Sequence, residues 1–265
     1  MEGVYIQDFR INGLLISLAS LLFLGIILLS YRLFMLGMLP IVFLFFIYIL
    51  TPIYRSTVSL FIFFLVGTLL FQMVTGYYAE WDISKKMKIM LNRSSLLLII
   101  GGLWLSILLS KQHVFLFTTL PDWKKRIVFP FHSIKLSSFL FFGLVGSATI
   151  FIPLLFLDGS SFTKSFVTYG IFFSIINAFL EEFLWRGIML SSLKSNVSTF
   201  FAVFTTSTGF GLLHISIGIP LVMSLLFSLG GLFYAVVVLK TNSIYPAIAF
   251  HLIINLGMVF NGWIF

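Results

Sequence analysis

The sequence has no cysteine, and its 265 residues include only 8 acidic and 16 basic side chains. The missing cysteine excludes disulfides, thiol nucleophiles and thiolate metal sites together, but it leaves the compartment open. The scarcity of charge excludes the ordinary soluble classes. Charged residues make up 9% of the chain and hydrophobic ones 60%, with a mean hydropathy of +1.14. No Gly-x-Ser-x-Gly elbow and no His-Glu-x-x-His run occurs, so the local signatures of a serine hydrolase and of a zincin are both missing. The period-2 alternation of a membrane barrel is missing too. Net charge is +8, yet no basic stripe interleaves with stacking aromatics, so nucleic acid is not an expected partner. Residues 1–10 carry Glu2 and Asp8 and lack a small-residue cleavage pattern. The run that follows therefore reads as a retained first span and not as a cleaved signal.

Long apolar runs are what the chain does have. In lipid every backbone polar group must be satisfied internally, and helices do this within one segment. The expected fold class is all-α, a polytopic transmembrane helical bundle of eight or nine spans in a multi-pass integral membrane protein. Candidate spans are 11–30, 33–50, 57–79, 94–110, 136–157, 165–190, 197–217, 220–239 and 244–264, each near the roughly 20 residues a bilayer requires. Pro40, Pro153 and Pro220 would kink or start spans. Most of the abundant Phe reads as lipid-facing filler. Two divisions are expected by role: 1–135, N-terminal spans and basic loops with no assigned task, and 136–265, where the chemistry sits.

Basic residues gather between the runs, the pattern of inside-facing loops and anionic lipid contact. Glu80–Arg93, with Lys85, Lys86, Lys88 and Arg93 set among Ile83, Met87 and Met90, reads as an amphipathic interfacial helix. Lys111–Lys135, with Pro121, Trp123 and Phe129-Pro130-Phe131, reads as a loop at headgroup level. A single crossing between two basic segments would put them on opposite sides. Either 94–110 is not a simple crossing or the first segment is an exception to the positive-inside rule. Placing Lys111–Lys135 inside also puts Lys194 and Lys240 inside.

Glu181-Glu182-x-x-x-Arg186 places three charges inside an apolar run, each costing about 2.5–3.5 kcal/mol at the bilayer centre on insertion scales. Glu182 and Arg186 are four apart, so on a helix they share a face and can pair. Glu181 points about 100° away, the step of a 3.6-residue turn. One glutamate is expected to be neutralised and the other left available. The bland alternative is an interfacial cap with Arg186 snorkelling to headgroups, which explains Glu182 and Arg186 but not Glu181. Later spans add Phe210-x-x-x-His214, beside Gly209 and Gly211, and His251-x-x-x-Asn255, whose two polar groups share a face. A lone His or Asn in a span is more often an interhelical hydrogen-bond partner. Five polar groups in three late spans are best satisfied by converging on one cavity.

Such a set can hydrolyse an amide. An apolar surrounding favours the neutral form of a carboxylic acid, which makes it a usable base nearer neutral pH. Glu181 could take a proton from a water that His214 holds. His251 and Asn255 could donate hydrogen bonds to a developing oxyanion. A zinc site of Glu and two His is the second choice, because Asn is a poor zinc ligand. No cofactor is called for.

These three elements, in this order in late spans, resemble the CPBP family: the CAAX-protease and bacteriocin-processing intramembrane endopeptidases, also called Abi. The resemblance covers about residues 166–265. It implies a metal-independent glutamate protease in which Glu181 and His214 activate water, His251 and Asn255 form the oxyanion hole, and Glu182, Arg186 and Phe210 support the site. Its implied substrate is a membrane-associated peptide or protein: a CAAX-type segment, a pheromone or a bacteriocin-related peptide. The implied setting is the bilayer of a bacterial cell. Two other classes stay open: a non-catalytic immunity or binding protein using the same cavity, and a proton-coupled transporter. The transporter would favour pseudo-symmetric halves, whereas the polar groups crowd into the last third.

Overall fold

The computed structural model describes residues 12–128, 131–157 and 163–264. The reading of residues 1–10 as uncleaved, and the Phe129-Pro130 part of the headgroup loop, lie outside them. Helices dominate: α1 (Gly13–Ser30), α2 (Phe34–Leu50), α3 (Arg55–Ala79), α4 (Lys85–Ser94), α5 (Leu96–Leu109), α6 (Leu136–Leu157), α7 (Lys164–Glu182), α8 (Ser191–Asn196), α9 (Thr199–Leu213), α10 (Leu221–Thr241) and α11 (Tyr245–Phe260). A π-helical stretch, Phe183–Leu190, continues α7, and a 3-10 turn, His214–Ile217, continues α9. The described sheet is one antiparallel hairpin of β1 (Arg126–Val128) and β2 (Ser133–Lys135).

By length and composition, seven described helical segments can cross a membrane, and α2 and α11 are shorter apolar helices. The chain is an all-α, polytopic integral membrane protein, as its composition implies. The expected fourth span is longer than read: Lys85–Leu109 forms one 25-residue segment, with only Ser95 between α4 and α5. The amphipathic stretch is thus a helix, capped by Ser84, whose hydroxyl accepts from Met87 N–H.

The chain forms two compact units, each discontinuous in sequence. The first comprises Met1–Gln72, Leu98–Phe115 and Ile188–Leu232. Its α1 is capped by Asn12, which accepts from Leu15 N–H at 2.9 Å. Leu15, Leu18, Leu22, Ile26 and Leu29 recur every three or four residues and are fully buried. That stripe faces α2 and α9. α3 and α5 approach at glycines: a Cβ on Gly67 would stand 2.7 Å from Ile99 Cα, and one on Gly102 would stand 2.6 Å from the Phe63 carbonyl oxygen. Close backbone approach through small residues is the usual device of helices in lipid. α2 exposes Met35, Phe43, Phe45, Phe46 and Ile49 and buries little more than Gly37, Pro40 and Leu44. Such apolar exposure fits contact with acyl chains.

The second unit comprises Met73–Leu97, Leu116–Gly187 and Phe233–Phe265. α11 packs on α6 and α7, and glycines again set the fit: Gly143 of α6 lies against the Phe250 ring, and Gly170 of α7 lies against Val259. α4 lies along α7, where the Tyr169 hydroxyl donates to the Lys86 carbonyl at 3.0 Å and the Lys86 ammonium sits 5.4 Å from the Tyr169 ring centroid. The segment before the hairpin docks beside the α10–α11 corner, with Ile244 N–H donating to the Phe117 carbonyl at 2.8 Å. Lys240 Nζ donates to the Val128 carbonyl at 3.2 Å. The hairpin and the end of α10 are therefore at one end of this unit, as the charge pattern requires.

Candidate active site

The second unit gathers most of the polar residues singled out above. Glu181 and Glu182 close α7, and Arg186 follows one turn on, in the π-helical stretch. π-Helical turns inside α-helices concentrate at functional sites. Arg186 Nη1 donates to Glu182 Oε1 at 2.9 Å, and both side chains are 0% exposed. Arg186 thus does not snorkel, and the interfacial-cap alternative fails on that point. A pair this dry gains Coulomb energy only against a large desolvation cost, so removing either partner leaves a buried charge uncompensated.

His251 of α11 reaches both glutamates. Its Nδ1 lies 2.8 Å from Glu182 Oε1. A carboxylate accepts and does not donate, so Nδ1 carries the hydrogen. Nε2 then points at Glu181, 3.5 Å from Oε2. One ring therefore spans the 100° between adjacent side chains of α7. Tyr234 of α10 stacks on it, with centroids 4.9 Å apart and planes 12° from parallel. The Arg186 guanidinium lies 5.2 Å from the same Tyr234 ring.

Glu181 has its own cation, which the sequence reading did not give it. Arg93 of α4 donates from Nη1 to Glu181 Oε1 at 3.0 Å and to Asn177 Oδ1 at 3.1 Å. Its Nε donates to Asn92 Oδ1 at 3.0 Å. The side chains of Arg93 and Glu181 are 8% and 6% exposed. The expectation of one paired and one available glutamate is corrected: each carboxylate has a guanidinium. The partner lies 88 positions away, at the end of a lysine cluster that reads as membrane surface. Asn177 was legible, since it stands four residues before Glu181 on the same helical face. Tyr234 had no distinguishing signal among the aromatics.

Asn255 lies one turn beyond His251 on α11 and is buried. Its Nδ2 has no hydrogen-bond partner among the described residues, so a donor is presented without a protein acceptor. Phe210 and His214 belong to the first unit. There His214 Nδ1 is 2.9 Å from the Phe210 carbonyl oxygen. That oxygen can only accept, so Nδ1 carries the hydrogen and Nε2 is the acceptor nitrogen of the neutral ring. The imidazole stacks on Phe227 at 4.6 Å and 7°, and the Phe210 ring meets it edge-on at 5.0 Å. Phe210 therefore orients His214 through its backbone. Gly211 leaves room for Ser224 and Ser228 of α10, where a Cβ would collide.

The second unit thus holds two carboxylates and two guanidinia in one buried cluster, with a histidine joining the carboxylates. Among the described residues, no group of three or more His, Cys, Asp or Glu side chains is arranged to hold a metal ion.

A buried acid pair, a histidine bridging it and a buried amide on the next turn thus lie together in the second unit. Residues 163–257 match the family model described as Rce1-like, type II CAAX prenyl endopeptidase. That match agrees with the likeness drawn from the three motifs, and it supports a CAAX-type intramembrane protease in general. It ends short of the N-terminal spans and does not include Arg93. No curated protein and no solved structure matches the chain.

Proposed function

We propose that the protein is a metal-independent intramembrane endopeptidase that cuts a membrane-associated peptide or protein by direct attack of water. Glu181 is the general base and His214 shares in holding the water. With a hydrogen on both ring nitrogens, His251 donates from Nε2, and Asn255 from Nδ2, to the carbonyl oxygen as it becomes an oxyanion. Glu182, held by Arg186, fixes the His251 ring through Nδ1, and Phe210 fixes the His214 ring. In this division residues 136–265 carry the hydrolytic groups. His214 receives its role from the motif order and from its acceptor nitrogen.

One observation carries the reading: the His251 imidazole lies between Glu182 Oε1 at 2.8 Å and Glu181 Oε2 at 3.5 Å. The longer approach is looser than a good hydrogen bond, so Nε2 can turn to a substrate oxygen without giving up its anchor at Nδ1. The free Asn255 Nδ2 supplies the second donor. Removing one oxyanion-hole donor costs about 10²–10³ in kcat in enzymes that use one. A guanidinium on each glutamate balances their charge without a metal.

The family match and the membrane setting support a peptide segment prenylated at a CAAX terminus as substrate, and the motif resemblance adds an unprenylated pheromone or bacteriocin-like peptide as the alternative. The test is cleavage of a quenched farnesylated CAAX peptide and of its unprenylated counterpart by the full chain in proteoliposomes. Glu181→Gln and His214→Ala should each lower kcat by about 100-fold or more. Undiminished cleavage by both variants removes the mechanism.

A further inference from the structure

Arg93 lies outside every motif that carries the functional reading, yet it donates directly to the proposed base. Its surroundings are built for it. Nη1 donates to both Asn177 and Glu181, one turn apart on α7. Asn92 accepts from Nε at 3.0 Å and also from Nη2. Arg93 itself is 7% exposed. The helix that carries it is fixed along α7 at a second place, through Lys86 and Tyr169. Lys88 is also committed, donating from Nζ to the Ala79 carbonyl at the end of α3 at 2.6 Å. A helix serving only as a charged membrane surface would not sink one cation into a polar pocket beside a carboxylate.

Charge arithmetic says what the contact does. Glu181 faces Arg93 from α4 and His251 from α11, with Glu182 beside it on its own helix and Arg186 one turn on. Arg186 is committed to Glu182. Without Arg93, Glu181 would be a second buried anion next to the first and would lose the guanidinium bonded to it. Like charges sharing a dry site resist joint ionisation. Arg93 supplies a countercharge in direct contact and engages Oε1, and Oε2 is the oxygen turned toward His251.

We propose that Arg93 is a positioning residue of the hydrolytic centre: it holds Glu181 by one oxygen, as a carboxylate, with the other oxygen presented to the reacting water. This rests on the reading of Glu181 as the base. It also ties α4 to the site, so the N-terminal half of the chain contributes to a reaction whose motifs all lie in the C-terminal half.

The test is a cycle of Arg93→Met, Arg93→Lys, Glu181→Gln and the double variant Arg93→Met/Glu181→Gln, made in the full chain. Cleavage of the quenched farnesylated peptide is read as kcat and KM separately, and thermal unfolding is followed in detergent micelles. Arg93→Met is expected to lower kcat by about 100-fold with KM within about threefold, the signature of an interaction felt in the transition state. A single nitrogen makes both α7 contacts, so a lysine ammonium can take its place, and Arg93→Lys should recover most of the loss. In the Glu181→Gln background, Arg93→Met should lower the residual rate no further. In unfolding, the double variant should be more stable than Arg93→Met alone, because no uncompensated carboxylate remains. Wild-type kcat in Arg93→Met, or strictly additive effects on kcat and unfolding, overturns the proposal. Full activity of Glu181→Gln overturns the base reading and this role with it, while non-additive unfolding would then still report the ion pair as a structural one.

Discussion

Individual side chains here are held by charges that depend on one another. Glu182 accepts from Arg186 and from His251 on one oxygen, with no solvent exposure. Glu182→Gln is therefore expected to lower stability by about 3–5 kcal/mol, because the buried Arg186 guanidinium loses the carboxylate bonded to it. Thermal unfolding in micelles measures this, and replacing Arg186 together with Glu182 should be milder than replacing Glu182 alone. Tyr234 offers a smaller effect. Its ring lies against both His251 and Arg186, so Tyr234→Leu should cost about 1–2 kcal/mol and also lower kcat, by loosening the imidazole. Part of this was legible in the sequence. The spacing of Glu182 and Arg186 implied their pairing, and the spacing of His251 and Asn255 implied a shared face. The Arg93–Glu181 contact was not legible, because helical spacing speaks only of residues three or four apart, and this pair is joined by tertiary packing.

At the scale of the helix, the apolar runs were readable to within a few residues, since length and hydropathy are what a bilayer selects. The expected 197–217 and 220–239 correspond to Thr199–Ile217 and Leu221–Thr241. The crossing expected at 94–110 proved to be the rear of a longer segment, because the basic residues of α4 mask a helix that does not stop. The π-helical stretch after Glu182 left no trace in the sequence, since a one-residue widening does not alter an apolar pattern. Neighbouring glycines on α5 allow a sharp test of packing. A Cβ on Gly102 would meet the Phe63 backbone, whereas one on Gly101 meets nothing within 4 Å. Gly102→Ala should destabilise by about 1–3 kcal/mol through overpacking. Gly101→Ala should be neutral or stabilise by up to about 1 kcal/mol through helix propensity. Unfolding of the two variants side by side separates close approach from helix propensity.

For the whole molecule, the charge pattern and the docking of the hairpin make one topological prediction. Phe131 is 99% exposed, and the nearby strand accepts from Lys240. Asn242, exposed beyond the end of α10, accepts through its carbonyl from Thr119. The chain has no native cysteine, so Phe131→Cys and Asn242→Cys each give a single label. Both should react with an impermeant maleimide from the same face of the membrane, the cytoplasmic one by the positive-inside rule. Labelling from opposite faces would contradict the hairpin's place beside α10. The sidedness of α4 is a separate matter, because Lys88 and Arg93 are bonded within the protein.

The interlocked carboxylates and guanidinia also constrain how an inactive form should be made for capturing a bound peptide. Changing either glutamate unbalances a dry electrostatic lattice, and the resulting protein risks losing its shape along with its chemistry. His214 is anchored by a hydrogen bond to a backbone carbonyl, so its exchange removes none of those carboxylates and guanidinia. Under the proposed roles, an inactive form that still grips its target is therefore best built at the imidazole of the 3-10 turn after α9, not at the acids.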